Sequence, residues 1–313
     1  MIAATRFIPA TLLLLGLAAT APADPVASTN PPASVTSSHS FTFPEPGHFK
    51  MGEIIPYKHT AERDLRLFVE KPPGWQAADR RPAILFFFGG GWVAGSPAQF
   101  APERTYFAAR GLVAICVGYR TIPKGDSGPP AVCCADAKSA VRYVRAHAAE
   151  LGIDPHRIAA AGGSAGGHLA AVTALVPGLD DPKDDLTVSC RPDALVLFNP
   201  VFDNSPGNYG HERIGARFKE FSPAQNITSN APPAIVFFGT EDKFVPVATA
   251  KAFQAGMDHC GVRCTTIFYP GQAHGFFNQE PYRTKTLIEA DKFLVSLGWL
   301  QGPPIIDSPG FTP

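Results

Sequence analysis

Apolar positions along this chain follow two rhythms. In the segments Gly52 to Tyr57 and Leu65 to Glu70 they alternate with polar residues, which predicts two antiparallel strands ahead of the main fold. From Ala83 the rhythm changes. Ala83-Ile84-Leu85-Phe86-Phe87-Phe88 is apolar throughout and stops at three glycines, the pattern of a strand buried on both faces. A helical segment, Ala98 to Arg110, and a second buried strand, Leu112 to Val117, come next. From Ala131 to Leu151, helical spacing puts Ala137, Ala140, Val141, Val144, Ala148 and Leu151 on one face, with Lys138, Arg142 and Arg145 elsewhere. A short apolar strand then runs into Gly162-Gly163-Ser164-Ala165-Gly166-Gly167 and a helix through Leu169, Val172 and Leu175. Strands at Ala194 to Phe198, Ala234 to Phe238 and Thr265 to Tyr269 are interleaved with helices at Val247 to Met257 and Tyr282 to Leu297. Strands alternating with helices predict a mostly parallel central sheet with helices on both faces, an open α/β architecture in a single domain.

The two ends of the chain modify this picture. Residues 1–23 read as a secretory signal: Arg6 in the n-region, an apolar stretch from Phe7 to Ala19, and Ala21-Pro22-Ala23 as the cleavage site. The apolar run is too short to span a bilayer and no later stretch does so, predicting an exported protein, periplasmic or secreted, without a membrane span. Residues 24–48 are rich in Pro, Ser and Thr and predict a flexible leader, so the folded domain is expected over 49–313. The chain carries 27 basic and 27 acidic side chains, and removing the signal leaves 26 against 27. Near-neutral charge without a basic run excludes a nucleic-acid partner. Nothing in the sequence sets the oligomeric state.

Six cysteines in an exported chain raise the question of disulfides, but their spacing is neither a zinc pattern nor a dense framework. Cys116 falls mid-strand as a buried apolar residue. Cys260 and Cys264 bracket a helix end and the next strand start, so a bridge between them is expected; Cys133 and Cys134 lie at the opposite end of the sheet from Cys190 and should not pair with it.

Candidate chemistry begins at the strand-to-helix corner. Such a corner forces Ser164 to positive φ and needs tiny residues two before and two after, which Gly162 and Gly166 supply; the hydroxyl is thereby lifted clear of the sheet as a candidate nucleophile. Ligands of an open α/β sheet sit at the carboxyl ends of its strands. That rule removes His39, His48, His147 and His259 and keeps His274, directly after the last strand. His168, on the elbow helix, reads as packing or support. Among the acids, Asp242 follows the strand Ala234 to Phe238 in a short loop before Pro246; Asp203 is its rival, entering a long polar and aromatic insertion. Attack on a carbonyl also needs donors for an oxyanion, worth about 3 kcal/mol each. Phe88-Gly89-Gly90-Gly91-Trp92 and the amide of Ala165 offer them.

Gly89-Gly90-Gly91-Trp92, the Gly163-Ser164-Ala165-Gly166-Gly167 elbow, Asp242 and His274, in that order, resemble the α/β-hydrolase superfamily over nearly the whole chain after the signal. Within it they look like the branch of hormone-sensitive-lipase-like esterases and bacterial feruloyl or acetyl-xylan esterase-like proteins. The resemblance implies an α/β-hydrolase fold and a Ser164, Asp242, His274 triad with an oxyanion hole at the amides of Gly90, Gly91 and Ala165. It further implies hydrolysis of carboxylic esters through an acyl-enzyme, with no cofactor and no metal. Phe88 stands where that family usually has a histidine, which removes a side chain that braces the glycine loop. The insertion at 201–230, with Phe202, Tyr209, Phe218 and Phe221, reads as part of a lid or acyl wall, to which Trp92 and Phe276 are added; surface packing of the same aromatics is the other reading. If the aromatics line the pocket, a small acyl group on a bulky or sugar alcohol is expected, so the substrate is a small-molecule or saccharide ester, short-chain or carbohydrate-linked acetyl or feruloyl. A serine peptidase of the same fold and a catalytically silent binding protein are the alternatives.

Overall fold

The structure, a computed structural model, describes Met1 and residues 41–43, 52–123 and 125–307. All the elements below lie in the unit Ser37–Pro313; of the other unit, Met1–Thr36, only Met1 is described. The signal at 1–23 and most of the leader at 24–48 therefore fall outside the described residues. Phe41 and Phe43 are half-buried against the body, Phe41 donating its N–H to Ile305 C=O at 2.6 Å and meeting Tyr106 edge-on.

Eight strands form one sheet in the order β1-β2-β4-β3-β5-β6-β7-β8. β1 (Glu53–His59) and β2 (Asp64–Glu70) are the predicted antiparallel pair, and β2 joins β4 (Val113–Val117) antiparallel. From β4 onward every pairing is parallel, through β3 (Arg81–Phe87), β5 (Ile153–Gly163), β6 (Ala194–Phe198), β7 (Ala234–Gly239) and β8 (Cys264–Tyr269). The helices are α1 (Ala101–Ala109), α2 (Ala131–Ala146), α3 (Ala165–Leu175), α4 (His211–Ile214), α5 (Phe218–Phe221), α6 (Val247–His259) and α7 (Tyr282–Ser296).

The strand period of two distributes one apolar run between two cores. On β3, Ala83, Leu85 and Phe87 join the cluster built with α2, α3 and α6, whereas Ile84 and Phe86 join the one built with α1 and α7. Helices thus cover both faces, and the continuous hydrophobicity of β3 to β7 follows. The predicted helix 131–151 stops at Ala146; Ala148 and Leu151 are still buried, but from a turn in which Ile153 N–H bonds Ala148 C=O at 2.7 Å. Its cations are not on a solvated face. Lys138 is buried and donates to Val176 C=O, and Arg142 pairs with Asp180 and Asp184 from the loop that crosses the helix.

Cys260 and Cys264 do not bridge, contrary to the expectation; all six cysteines are free. Cys260 directs its sulfur toward Ile227 C=O at 3.9 Å, while Cys264 is buried in the core, where burial pushes its thiol pKa up to about 12. The side chains face different neighbours, which closeness in sequence does not reveal. No helix among the described residues is long and apolar enough to cross a membrane.

Candidate active site

Parallel pairing aligns the carboxyl ends of the strands. The registers Phe87 to Gly162, Gly163 to Phe198, Phe198 to Phe237 and Gly239 to Tyr269 bring five loops to one edge of the sheet. Those loops carry the glycine run, Ser164, Asn199, Asp242 and His274.

Ser164 has φ 55° and ψ −122°, the strained corner that the sequence predicts, at a cost of about 1–3 kcal/mol met by the surrounding packing. A Cβ on Gly166 would lie 2.0 Å from Phe87 C=O, so only glycine lets α3 start so close to β3. The corner is fixed by Ser164 N–H to Phe198 C=O at 2.9 Å.

Asp242 sits in the loop after β7. Its Oδ1 accepts from the N–H groups of Phe244 and Val245, both at 2.9 Å, and its Oδ2 lies 2.6 Å from His274 Nδ1. A buried carboxylate so placed makes Nδ1 the protonated nitrogen and leaves Nε2 as an acceptor, 2.8 Å from Ser164 Oγ. Asp203, the rival acid, is spent elsewhere: it accepts from Ser205 N–H, Ser205 Oγ–H and Asn208 Nδ2–H inside the insertion. Gly90 and Gly91 take positive φ, 118° and 62°, and among the described residues no bond from the amides of Gly90 or Gly91 is made. Ala165 begins α3 with its amide at the uncapped helix start.

A cavity of about 270 Å³ joins Ser164, His274 and Gly89–Gly91 to Gln99, Asn199, Tyr209, Phe244, Val245, Gly275, Phe277 and Asn278. Of the predicted aromatic wall only Tyr209 lines it. Trp92 is buried and donates its indole N–H to His168; Phe202 stacks on Phe253 at 3.7 Å; Phe276 packs between Tyr269 and Tyr282. These three brace the pocket's surroundings from the core. A larger cleft of about 470 Å³, lined by Arg63, Arg66, Phe68, Phe88 and Tyr119 among others, shares no lining residue with this cavity and holds neither Ser164 nor His274.

Several lining residues escape the sequence reading. Asn199 follows β6 as Asp242 follows β7, so the strand-end rule reaches it. Gln99, in the short turn before α1, and Asn278, past His274, carry no local mark. Phe244 is exposed, its ring 5.4 Å from that of His274 at the pocket rim. Phe88 stacks on Tyr119 at 4.0 Å, while the Tyr119 hydroxyl donates to Phe88 C=O at 2.7 Å, so this end of the glycine loop is braced from the β4 side.

His168 is support, as predicted, and reaches three elements. Its Nδ1 accepts from Trp92 at 3.2 Å, so Nε2 carries the proton and donates to Phe221 C=O at 2.9 Å. Burial pushes its pKa down from 6.5 to about 4. A depressed histidine pKa contributes stability that is full above pH 6.5 and is lost as pH falls toward 4, because only the unfolded chain takes up the proton in that window. Buried Glu103, raised by burial to about 7, has the opposite sign: it favours the folded state at low pH. Urea midpoints of wild type and His168→Gln between pH 7 and 4 isolate the histidine, and the variant should show the shallower loss on acidification. Parallel curves for the two proteins would remove this account.

An eight-stranded, mostly parallel sheet with a strained serine at the β5 corner and an Asp–His pair facing it defines an α/β-hydrolase. The profile of the family described as BD-FAE matches residues 72–204, and that of the dienelactone hydrolase family matches 195–301. Thermogutta terrifontis esterase 2, solved "phosphoramylated by tabun", is 47% identical, with 83% of this chain and 99% of that one covered at a TM-score of 0.77. The probable carboxylic ester hydrolase LipM of Mycobacterium tuberculosis is 30% identical over 66% of this chain and 54% of its own length. The probable isoprenylcysteine alpha-carbonyl methylesterase ICMEL1 of Arabidopsis thaliana is 28% identical over 65% and 47%. The chain spans about half the length of these curated relatives. It belongs to the α/β-hydrolase esterase family.

Proposed function

We propose that this protein is a serine carboxylesterase that cleaves short-acyl esters through an acyl-enzyme. The observation that carries the reading is His274, hydrogen-bonded on one side to buried Asp242 and on the other to Ser164, beside the Gly90 and Gly91 amides, which bond nothing among the described residues. In the first step Ser164 Oγ attacks the ester carbonyl and its proton passes to His274 Nε2, while Asp242 holds the imidazolium. The carbonyl oxygen becomes an oxyanion within reach of the Gly90, Gly91 and Ala165 amides. Collapse breaks the bond to the alkoxy group, which leaves as the alcohol with the proton from His274. Water, deprotonated by His274, then releases the acid and restores Ser164.

Structures of T. terrifontis esterase 2 phosphorylated by paraoxon and bound to propionate and to butyrate support the same chemistry here and a short acyl group. The cavity of about 270 Å³ agrees with that size. On the alcohol side the exposed Phe244 ring offers a flat apolar surface, suited to an aryl or carbohydrate-linked alcohol. Export is proposed with it, on the composition of residues 1–23.

Paraoxon tests the reading without knowledge of the natural substrate. Incubation should add one diethylphosphoryl group, located by peptide mass spectrometry on Ser164, with loss of p-nitrophenyl acetate hydrolysis in proportion. Full activity after exposure, or labelling confined to another residue, would reject it. A panel of acetylated xylan, feruloyl sugars and short aryl esters then ranks the alcohol.

A further inference from the structure

Donors that stabilise an oxyanion work only if they are aligned before the charge develops. The glycine loop, with positive φ at Gly90, Gly91 and Trp92 in succession, has little intrinsic reason to hold one shape. We infer that Gln99 is a positioning residue that clamps this loop and ties it to the loop carrying His274, so that the oxyanion donors and the general base are set by one chain of amides. The inference rests on the esterase reading above.

Phe88 C=O and Gly89 N–H belong to a single peptide group, and it is held at both ends. Tyr119 Oη–H donates to the Phe88 oxygen at 2.7 Å, and Gly89 N–H donates to Gln99 Oε1 at 2.6 Å. The next peptide carries the Gly90 N–H. Fixing the plane before it leaves only the φ and ψ of Gly89 to direct that donor. The rest of the loop is anchored further on, by Ile122 N–H to Trp92 C=O at 2.8 Å and by the Trp92 indole to His168.

From Gln99 the chain continues across the pocket. Gln99 Nε2–H donates to Asn278 Oδ1 at 3.1 Å, Asn278 Nδ2–H to Gly275 C=O at 2.9 Å, and Gly275 N–H to Asn199 Oδ1 at 3.0 Å. Gly275 directly follows His274. From Gly89 N–H to Gly275 C=O every bond points the same way, so those amides polarise one another, and the side-chain oxygen and NH₂ of Gln99 are both committed in one orientation; Gly275 N–H, in the preceding peptide group, is held separately by Asn199. Gln99, Asn278 and Asn199 all line the catalytic cavity and none is charged, so they hold the geometry without adding a net charge beside the imidazole.

Gln99→Met keeps the side chain's length and removes both bonds. It should lower kcat on p-nitrophenyl butyrate by about 10- to 100-fold while KM stays within about threefold, since misplacement by an ångström costs that much in rate. The thermal midpoint should hardly move, because Gln99 is half-exposed in a surface turn. Asn278→Leu should lose kcat in the same sense, and the double variant should be little worse than Gln99→Met alone, as members of one chain are not additive. If Gln99→Met does not fold, Asn278→Leu carries the same readout. Wild-type kcat in both single variants, or a loss expressed in KM alone, with Ser164→Ala inactive, overturns this inference and leaves the esterase reading intact. Hydrolysis retained by Ser164→Ala overturns both.

Discussion

Ser164→Ala is expected to lower kcat on p-nitrophenyl acetate by about a million-fold, with the fold unchanged. On the proposed mechanism this hydroxyl forms the acyl bond, and His274 Nε2 lies 2.8 Å from it. Removing the oxygen leaves the Asp242–His274 pair and the amides with nothing to activate. What survives is hydroxide or water attack on a polarised carbonyl, worth about 10³- to 10⁴-fold over water. Alanine keeps the strained φ of 55° and adds no bulk, so circular dichroism and thermal midpoint should match wild type within experimental scatter. Steady-state rates, corrected for contamination by titrating active sites, give the result. A variant within tenfold of wild type would show that the reaction does not pass through this residue.

Asp242→Asn is expected to cost about 10⁴-fold in kcat at neutral pH, and Asp203→Asn only a few-fold. The size of the first effect follows from the carboxylate's surroundings. Two backbone N–H groups, of Phe244 and Val245, point at Oδ1 and require an acceptor there. In the asparagine variant the amide oxygen therefore takes that place and the NH₂ group faces His274. It then donates to Nδ1, which moves the ring proton to Nε2, and Nε2 can no longer accept the Ser164 proton. Among the described residues Asp203 bonds within its own segment alone, to Ser205 and Asn208, so its loss should loosen the insertion without touching the histidine. Rates of both variants over pH 6 to 9 decide between the acids; the reverse ranking would reverse the assignment.

The strand pattern was legible because it is local. A run such as Ile84 to Phe87 states its own burial, and β6 has the predicted bounds, Ala194–Phe198. The elbow was legible for the same reason: a turn made of Gly162, Ser164 and Gly166 follows from the backbone's own sterics. The meeting of Ser164, Asp242 and His274 followed from topology, since parallel strands must end on one edge. The side-chain wall was not legible. Trp92, Phe202 and Phe276 are aromatics near the right loops, yet each turns into the core, toward His168, Phe253 and Tyr269. Gln99 and Asn278 are 179 positions apart and share no pattern that would pair them.

By itself the sequence determined the order of elements, the strained serine corner and the set of residues at the strand ends, since these depend on periodicity, on glycine's missing Cβ and on the rule that parallel strands share a direction. Packing between distant segments settles which acid faces the histidine, keeps Cys260 and Cys264 apart, and links the glycine loop to His274 through an amide chain. Those outcomes depend on where side chains point once distant segments pack, and that direction is set by neighbours brought in from other elements rather than by the residues alongside in the chain.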